Sequence, residues 1–331
     1  MKMSKVYYSR EMSREFYDFL KDEIKENFKG SKEIAVKIHF GEPGNQYAFK
    51  PEDVKVFIDI LKELKIKFFM YDSSTSYNSP RGSPKTHEEV AIEKGWSELG
   101  PISTDDSEFI KVKGRHFDYE VCKPLVDADG VLVITHFKGH MCSGFGGSIK
   151  NLGMGALTKK SKSDIHDGAK PVFDGDCIQC KACERSCPVH GIKVDDYPEF
   201  NACIGCSICQ TVCPESSIKP KVDYFDTLLA EGANAAFKNF KKAYFINVAK
   251  NITKRCDCAS DPEGIIAADV GYFASEDPVA IDMACYDKTV EEEGKDVFKE
   301  RNKKSGTEQV YAAEKFKMGS VRYDLQEIGD S

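Results

Sequence analysis

Eight of the chain's thirteen cysteines fall between Cys177 and Cys213, in two runs that share one pattern. The first is Cys177-Ile-Gln-Cys180-Lys-Ala-Cys183-Glu-Arg-Ser-Cys187-Pro188, and the second is Cys203-Ile-Gly-Cys206-Ser-Ile-Cys209-Gln-Thr-Val-Cys213-Pro214. Thiolates at this C-x2-C-x2-C-x3-C-P spacing are iron–sulfur ligands. Three sulfurs two residues apart can wrap three corners of a cubane from one loop. The fourth, after a longer step and ahead of a proline, points toward the other cluster. The ligand sets are therefore expected to cross. Cys177, Cys180, Cys183 and Cys213 are assigned to one [4Fe–4S] cluster, and Cys203, Cys206, Cys209 and Cys187 to the other.

The second run repeats the first at a fixed offset that carries Ile178, Pro188, Ile192 and Lys193 onto Ile204, Pro214, Ile218 and Lys219, which marks an internal duplication. Paired C-x2-C knuckles also hold structural zinc, but a zinc ribbon does not account for the third and fourth cysteine of each run or for the two prolines. The segment resembles a two-cluster bacterial ferredoxin domain over residues 168–222. An odd cysteine count in a chain with no apparent leader argues against a disulfide framework, so the expected location is the cytoplasm.

At 331 residues the chain has room for about two domains. With 41% hydrophobic and 31% charged residues it reads as globular. The formal charge of −7 disfavours a nucleic-acid partner, and the absence of an apolar run of about 18 residues disfavours a membrane span. Outside the cysteine segment, strand and helix patterns alternate. Strands are predicted at Lys5–Ser9, Ile34–Phe40, Lys67–Tyr71, Val131–His136, Ala243–Val248 and Ile265–Val270. Helices are predicted at Glu15–Asn27, Pro51–Leu64, Thr86–Lys94, Tyr224–Phe240 and Pro278–Glu291. The expected fold is α/β, a largely parallel sheet with helices on both faces, interrupted by an inserted α+β ferredoxin-like domain. Residues 1–167 and 223–331 would form one discontinuous domain, and the charge-rich stretch from Val290 to Ser331 a solvated helix and tail.

Open parallel sheets bind ligands beyond the C-terminal ends of their strands. That rule selects Lys37 and His39, Asp72, then His136, Lys138, His140 and Lys150, and Asp269. Lys37 and His39 share one face of a buried strand, so Lys37 needs either a partner carboxylate or a cleft. His136, Lys138, His140 and Cys142 are spaced by two and would face one way along a continuing strand. The glycines from 144 to 155 allow close backbone approach, and a helix starting near Ser148 would offer free N–H groups to an anion, with Lys138 and Lys150 as counter-charges. Cys256-Asp-Cys258 is a weak metal signal on its spacing alone. Cys122 and Cys285 read as core residues, and Asp277 ahead of Pro278 as a helix cap.

Taken together, the motifs Val-Lys37-Ile-His39-Phe-Gly-Glu-Pro-Gly44, Tyr-Asp72-Ser-Ser-Thr-Ser-Tyr77, Thr-His136-Phe-Lys138-Gly-His140, Gly-Phe-Gly-Gly147-Ser-Ile-Lys150-Asn-Leu-Gly-Met-Gly155 and Asp277-Pro-Val-Ala-Ile-Asp282 resemble the iron–sulfur-centre family called domain of unknown function 362. The resemblance spans nearly the whole chain and implies an inserted ferredoxin module, but no particular reaction. The expected function is an oxidoreductase that exchanges electrons with a soluble donor or acceptor protein. It would pass them to a small-molecule substrate, anionic or flavin-like, at a rim where His39, His136, Lys138 and His140 act and Lys37, Asp72, Lys150 and Asp269 bind. The alternatives are an electron carrier or ligand-binding protein without chemistry of its own, and a cluster-assembly or maturation factor.

Overall fold

The apolar run Val131–His136 forms a strand near the middle of an eight-stranded sheet. The computed structural model describes residues 3–329. In space the strands run Tyr323–Glu327, Ser4–Ser9, Gly271–Ser275, Ala243–Ala249, Val131–His136, Glu33–Lys37, Lys67–Tyr71 and Ile102–Ser103. Gly271–Ser275 is antiparallel to both neighbours, and every other pairing is parallel.

Side chains alternate across a strand, and both faces here are covered. Val131 and Val133 enter one apolar cluster, while Leu132 and Ile134 enter the other. On the second face lies the helix Arg14–Asn27, whose Phe16, Leu20 and Ile24 recur every fourth residue and are fully buried. Ser13 starts that helix by accepting from the Phe16 amide. Each such side chain contributes about 1.5–3 kcal/mol on burial. The first face carries Ser148–Gly155, Phe225–Phe237 and Pro278–Glu293. The fold is thus α/β with a mostly parallel sheet between two helical layers.

Two expectations need correction. The sixth strand is Gly271–Ser275, not Ile265–Val270, and it runs against its neighbour Ala243–Ala249. The intervening loop can therefore fold back over the C-terminal strand ends. Gly271 opens the strand at φ 140°, where a Cβ would lie 2.4 Å from the Ser9 carbonyl oxygen. Nor is the C-terminal stretch a solvated tail. Val297, Phe298, Val310 and Ala313 are buried, and Tyr323–Glu327 pairs in parallel with Ser4–Ser9 at the sheet edge. Lys299, Glu300, Arg301, Glu308 and Lys315 lie on exposed faces of helices Val297–Asn302 and Thr307–Lys315, while Lys304 between them is buried.

Strands from both sides of residues 168–222 share the large sheet, and no described strand within that segment joins it. Pro171–Phe173 instead pairs with Ile218–Pro220, and Ile192–Val194 with Pro198–Phe200. Two short helices, Ala182–Ser186 and Ile208–Val212, pack together over a small core that includes Cys183, Cys209, Val194 and Ile218. The duplication is visible in the backbone. Lys181 and Ser207 both start their helices in the left-handed region, at φ 57° and 64°, and His190 and Ser216 match at 51° and 53°.

Candidate functional site

The eight clustered cysteines line two cavities of nearly equal size. Cys177, Cys180, Cys183 and Cys213 border one of about 20 Å³. Cys203, Cys206, Cys209 and Cys187 border the other, also of about 20 Å³. In each, the fourth cysteine comes from the opposite run. Apolar neighbours such as Ile178, Val194 and Ile218 wall the first, and Ile192 and Ile204 the second. The Gln179 amide points at the Cys177 sulfur at 3.4 Å, and its repeat mate, the Gly205 amide, at the Cys203 sulfur at 3.3 Å.

The cavities differ in surroundings. Cys180 is exposed, whereas Cys206 is buried in the α/β core. Lys304 donates to the Cys206 carbonyl at 2.8 Å and pairs with Asp226, which fixes the second loop to that core.

Beside the second cavity lies a far larger cleft, about 780 Å³ and open to solvent. Cys203 and Ile204 belong to both walls. His166 lines the cleft too, with its Nδ1 2.8 Å from the Ile204 carbonyl. Across from them stand His39, Asp72 and Arg81, and the cleft also receives His140, Lys150, Lys162, Cys256 and Cys258.

Four of the eight residues selected from strand ends reach this cleft: His39, Asp72, His140 and Lys150. The other four do not. Lys37 is fully buried, 3.0 Å from Asp72 and 2.7 Å from Asn151 Oδ1, so it has its partner carboxylate inside the fold. His136 stacks on Phe49 at 4.1 Å between ring centroids and holds Asp257 at 2.9 Å. Lys138 meets the other oxygen of Asp257, also at 2.9 Å. Asp269 accepts from the Asn251 amide at 2.7 Å, away from the cleft. The period-two argument failed because the strand ends at His136, and Lys138–His140 belongs to a separate hairpin with Gly144–Gly146. His136 and Lys138 both clamp Asp257, and hence the loop that carries Cys256 and Cys258.

The helix N-terminus at Ser148 is also spoken for. Asp282 accepts from the Ser148 amide at 2.7 Å, the Ile149 amide at 2.9 Å and Asn247 Nδ2 at 2.7 Å. The anion expected there is an internal carboxylate. Gly147 is required because a Cβ would meet Asp282 at 2.4 Å, and Gly155 because one would meet Lys37 Nζ at 2.4 Å. These glycines make room for buried side chains of the fold.

Residues the strand-end rule overlooked complete the cleft. Arg81 is buried, donates to Glu42 at 2.6 and 2.8 Å and stands 3.2 Å from His39 Nε2. It sits in a turn with no helix or strand periodicity, so the sequence held no signal for it. Burial would raise the Asp72 carboxyl, but Lys37 and the neighbouring cations outweigh this and hold it well below the usual range. Burial, then Arg81, keep His39 neutral. Lys162 bonds the Ser73 and Ser74 carbonyls and the Ser73 hydroxyl. Burial pushes its pKa down to about 8, and among the described residues no carboxylate pairs with it.

Lys150 approaches the sulfurs of Cys256 and Cys258 at 3.2 and 3.6 Å. A hydrogen bond from Cys258, helped by Lys150, holds Cys256 down to about 5, and the same shared proton pushes Cys258 up. Of the three remaining cysteines, Cys122 and Cys285 are core residues, as expected, while Cys142 borders the cleft.

Fold and site together define an α/β protein with a cysteine-lined segment set between its strands. The family model described as "Domain of unknown function (DUF362)" matches residues 34–287, and the chain belongs to that family. No curated protein matches it. Among solved structures it is similar to a protein from Thermotoga maritima, at 12% identity and TM-score 0.46, covering 83% of this chain and 57% of that one. It is also similar to the lactate racemase apoprotein from Thermoanaerobacterium thermosaccharolyticum, at 13% identity and TM-score 0.41, covering 83% and 54%. The chain thus spans a little over half the length of these two structures. No helix among the described residues is long and apolar enough to cross a membrane.

Proposed function

We propose that the chain is an iron–sulfur oxidoreductase in which residues 168–222 form an inserted two-cluster ferredoxin-type domain and the adjacent cleft holds the substrate. The observation that carries this reading is the shared wall: Cys203 borders both the inner four-cysteine cavity and the cleft. The donor sets fit the group. Each cavity offers four free thiols, apolar walls and backbone amides directed at sulfur, the features that tune such clusters. Cys177, Cys180, Cys183 and Cys213 would hold one [4Fe–4S] cluster, and Cys203, Cys206, Cys209 and Cys187 the other. Bound there, they would supply single electrons. The exposed surroundings of Cys180 suit docking of a soluble partner protein.

The chain's own residues favour an acidic small molecule. Lys162 is a buried ammonium on the cleft wall with no ion-pair partner among the described residues, and a ligand carboxylate or phosphate would supply one. Neutral His39 is placed to position such a ligand by hydrogen bonding. The burial of Cys206 and Cys209 favours a firmly held cluster over one made for transfer. Dithionite-reduced protein mixed anaerobically with small carboxylates and phosphate esters tests the reading. Reoxidation by an acid, at least tenfold slower in Lys162→Met with unchanged visible absorbance, supports it. Reoxidation by partner proteins alone would favour an electron carrier.

A further inference from the structure

We propose that His140, Cys256 and Cys258 form a third metal site, for one zinc-like divalent cation, on the wall of the cleft. One ligand atom from each of the three lies within 4.8 Å of the others, a separation that small side-chain adjustments close to a shared ion. The donor set, two thiolates and one imidazole, suits Zn²⁺ and related d-block ions.

The ligands come from two elements that the fold brings together. His140 ends the hairpin strand Lys138–His140, while both cysteines lie on the long loop between Ala243–Ala249 and the antiparallel strand Gly271–Ser275. The loop is pinned between them, since Asp257 is clamped by His136 and Lys138 and accepts from the Phe49 amide at 3.0 Å. The middle residue of Cys-Asp-Cys thus faces away into the fold while the sulfurs on either side face the cleft.

The imidazole is held in place by hydrogen bonds at Nδ1. His140 Nδ1 lies 2.9 Å from Ser143 Oγ, whose own hydrogen goes to the Phe145 carbonyl at 2.7 Å. The Cys142 and Ser143 amides donate to Nδ1 at 3.3 Å, so Nδ1 is the accepting nitrogen and an ion bound through Nε2 would displace that nitrogen's proton. The Cys258 amide points at the Cys256 sulfur at 3.4 Å, in the manner of amides around bound thiolates. A lysine–thiolate pair alone would need Lys150 and the two sulfurs, and it gives no reason for a buried imidazole to converge on them as well.

All three residues border the cleft, so a fourth coordination position faces its interior. Three protein ligands with one open position is the arrangement of catalytic rather than structural zinc. An acidic ligand could take that position with Lys150 beside it. The site stands on its own geometry and does not depend on the two clusters.

The test uses full-length protein purified without oxygen, equilibrated with one equivalent of Zn²⁺ and desalted. Wild type should retain about one more zinc per chain than C256S/C258S, with equal iron and sulfide in both, and H140Q should weaken zinc binding at least tenfold. Cys142→Ser, on the same wall, should retain the ion. A second measurement needs no variant: zinc should slow iodoacetamide labelling of Cys256 and Cys258 at least tenfold and leave Cys142 unaffected. Equal zinc in wild type and folded double variant, or labelling unaffected by zinc, would overturn the proposal. Iron and sulfide counts report separately on the clusters.

Discussion

The carboxylate of Asp282 lies 2.7 Å from the amide of Ser148 and closes the N-terminus of the helix that carries Lys150. Burial raises its pKa to about 7 even with three N–H donors around it. Asp282→Ala should leave the Ser148 and Ile149 amides and Asn247 Nδ2 buried without an acceptor. A loss of about 3 kcal/mol is expected in denaturant unfolding, and Asp282→Asn should lose less.

Lys37 and Asp72 form a buried pair at 3.0 Å, with Asn151 sharing the ammonium. Removing one partner leaves a buried charge, so Lys37→Met should cost about 3–5 kcal/mol. The double variant K37M/D72N should recover part of that loss. Equal destabilisation by single and double variants would contradict the pairing.

Three histidines give stability a direction with pH. Burial lowers the pKa of His39, of His87 to about 3, and of His166. Each is then neutral in the folded chain, whereas an unfolded histidine takes up a proton below about pH 6.5. The unfolded state binds more protons in that range, so the stabilisation is present above about pH 6.5 and is lost as the pH falls. Unfolding at pH 7.0 and 5.5 should differ by about 1 kcal/mol for each such group.

The crossed cysteine sets predict which variants resemble each other. Cys213→Ala should remove the same half of the iron as Cys180→Ala, and Cys187→Ala the same half as Cys203→Ala, because those pairs border common cavities. Paramagnetic resonance of the surviving signal tells the halves apart. If Cys213→Ala instead matched Cys203→Ala, each run would hold its own cluster.

Local pattern was enough for Val131–His136 and Lys67–Tyr71, which fold as strands with the bounds their apolar runs predict. The cysteine spacing likewise groups the residues that border each of the two small cavities. Local pattern misled where partners are far apart in sequence. Tyr323–Glu327 looks like a charged tail until it pairs with Ser4–Ser9 at the other end of the chain. His136, Lys138 and His140 look equivalent by alternation, yet a break after His136 sends two of them to Asp257 and one to the cleft. Arg81, Lys162 and the Cys256–Cys258 pair are placed by tertiary packing that periodicity does not encode.

The claim on which most depends is that residues 168–222 hold two cubanes. Iron and acid-labile sulfide counted on oxygen-free protein, with electron paramagnetic resonance after dithionite reduction, measure it directly. The account predicts about eight of each per chain and two interacting signals. Protein without inorganic sulfide, its eight clustered thiols free or holding zinc, would contradict it.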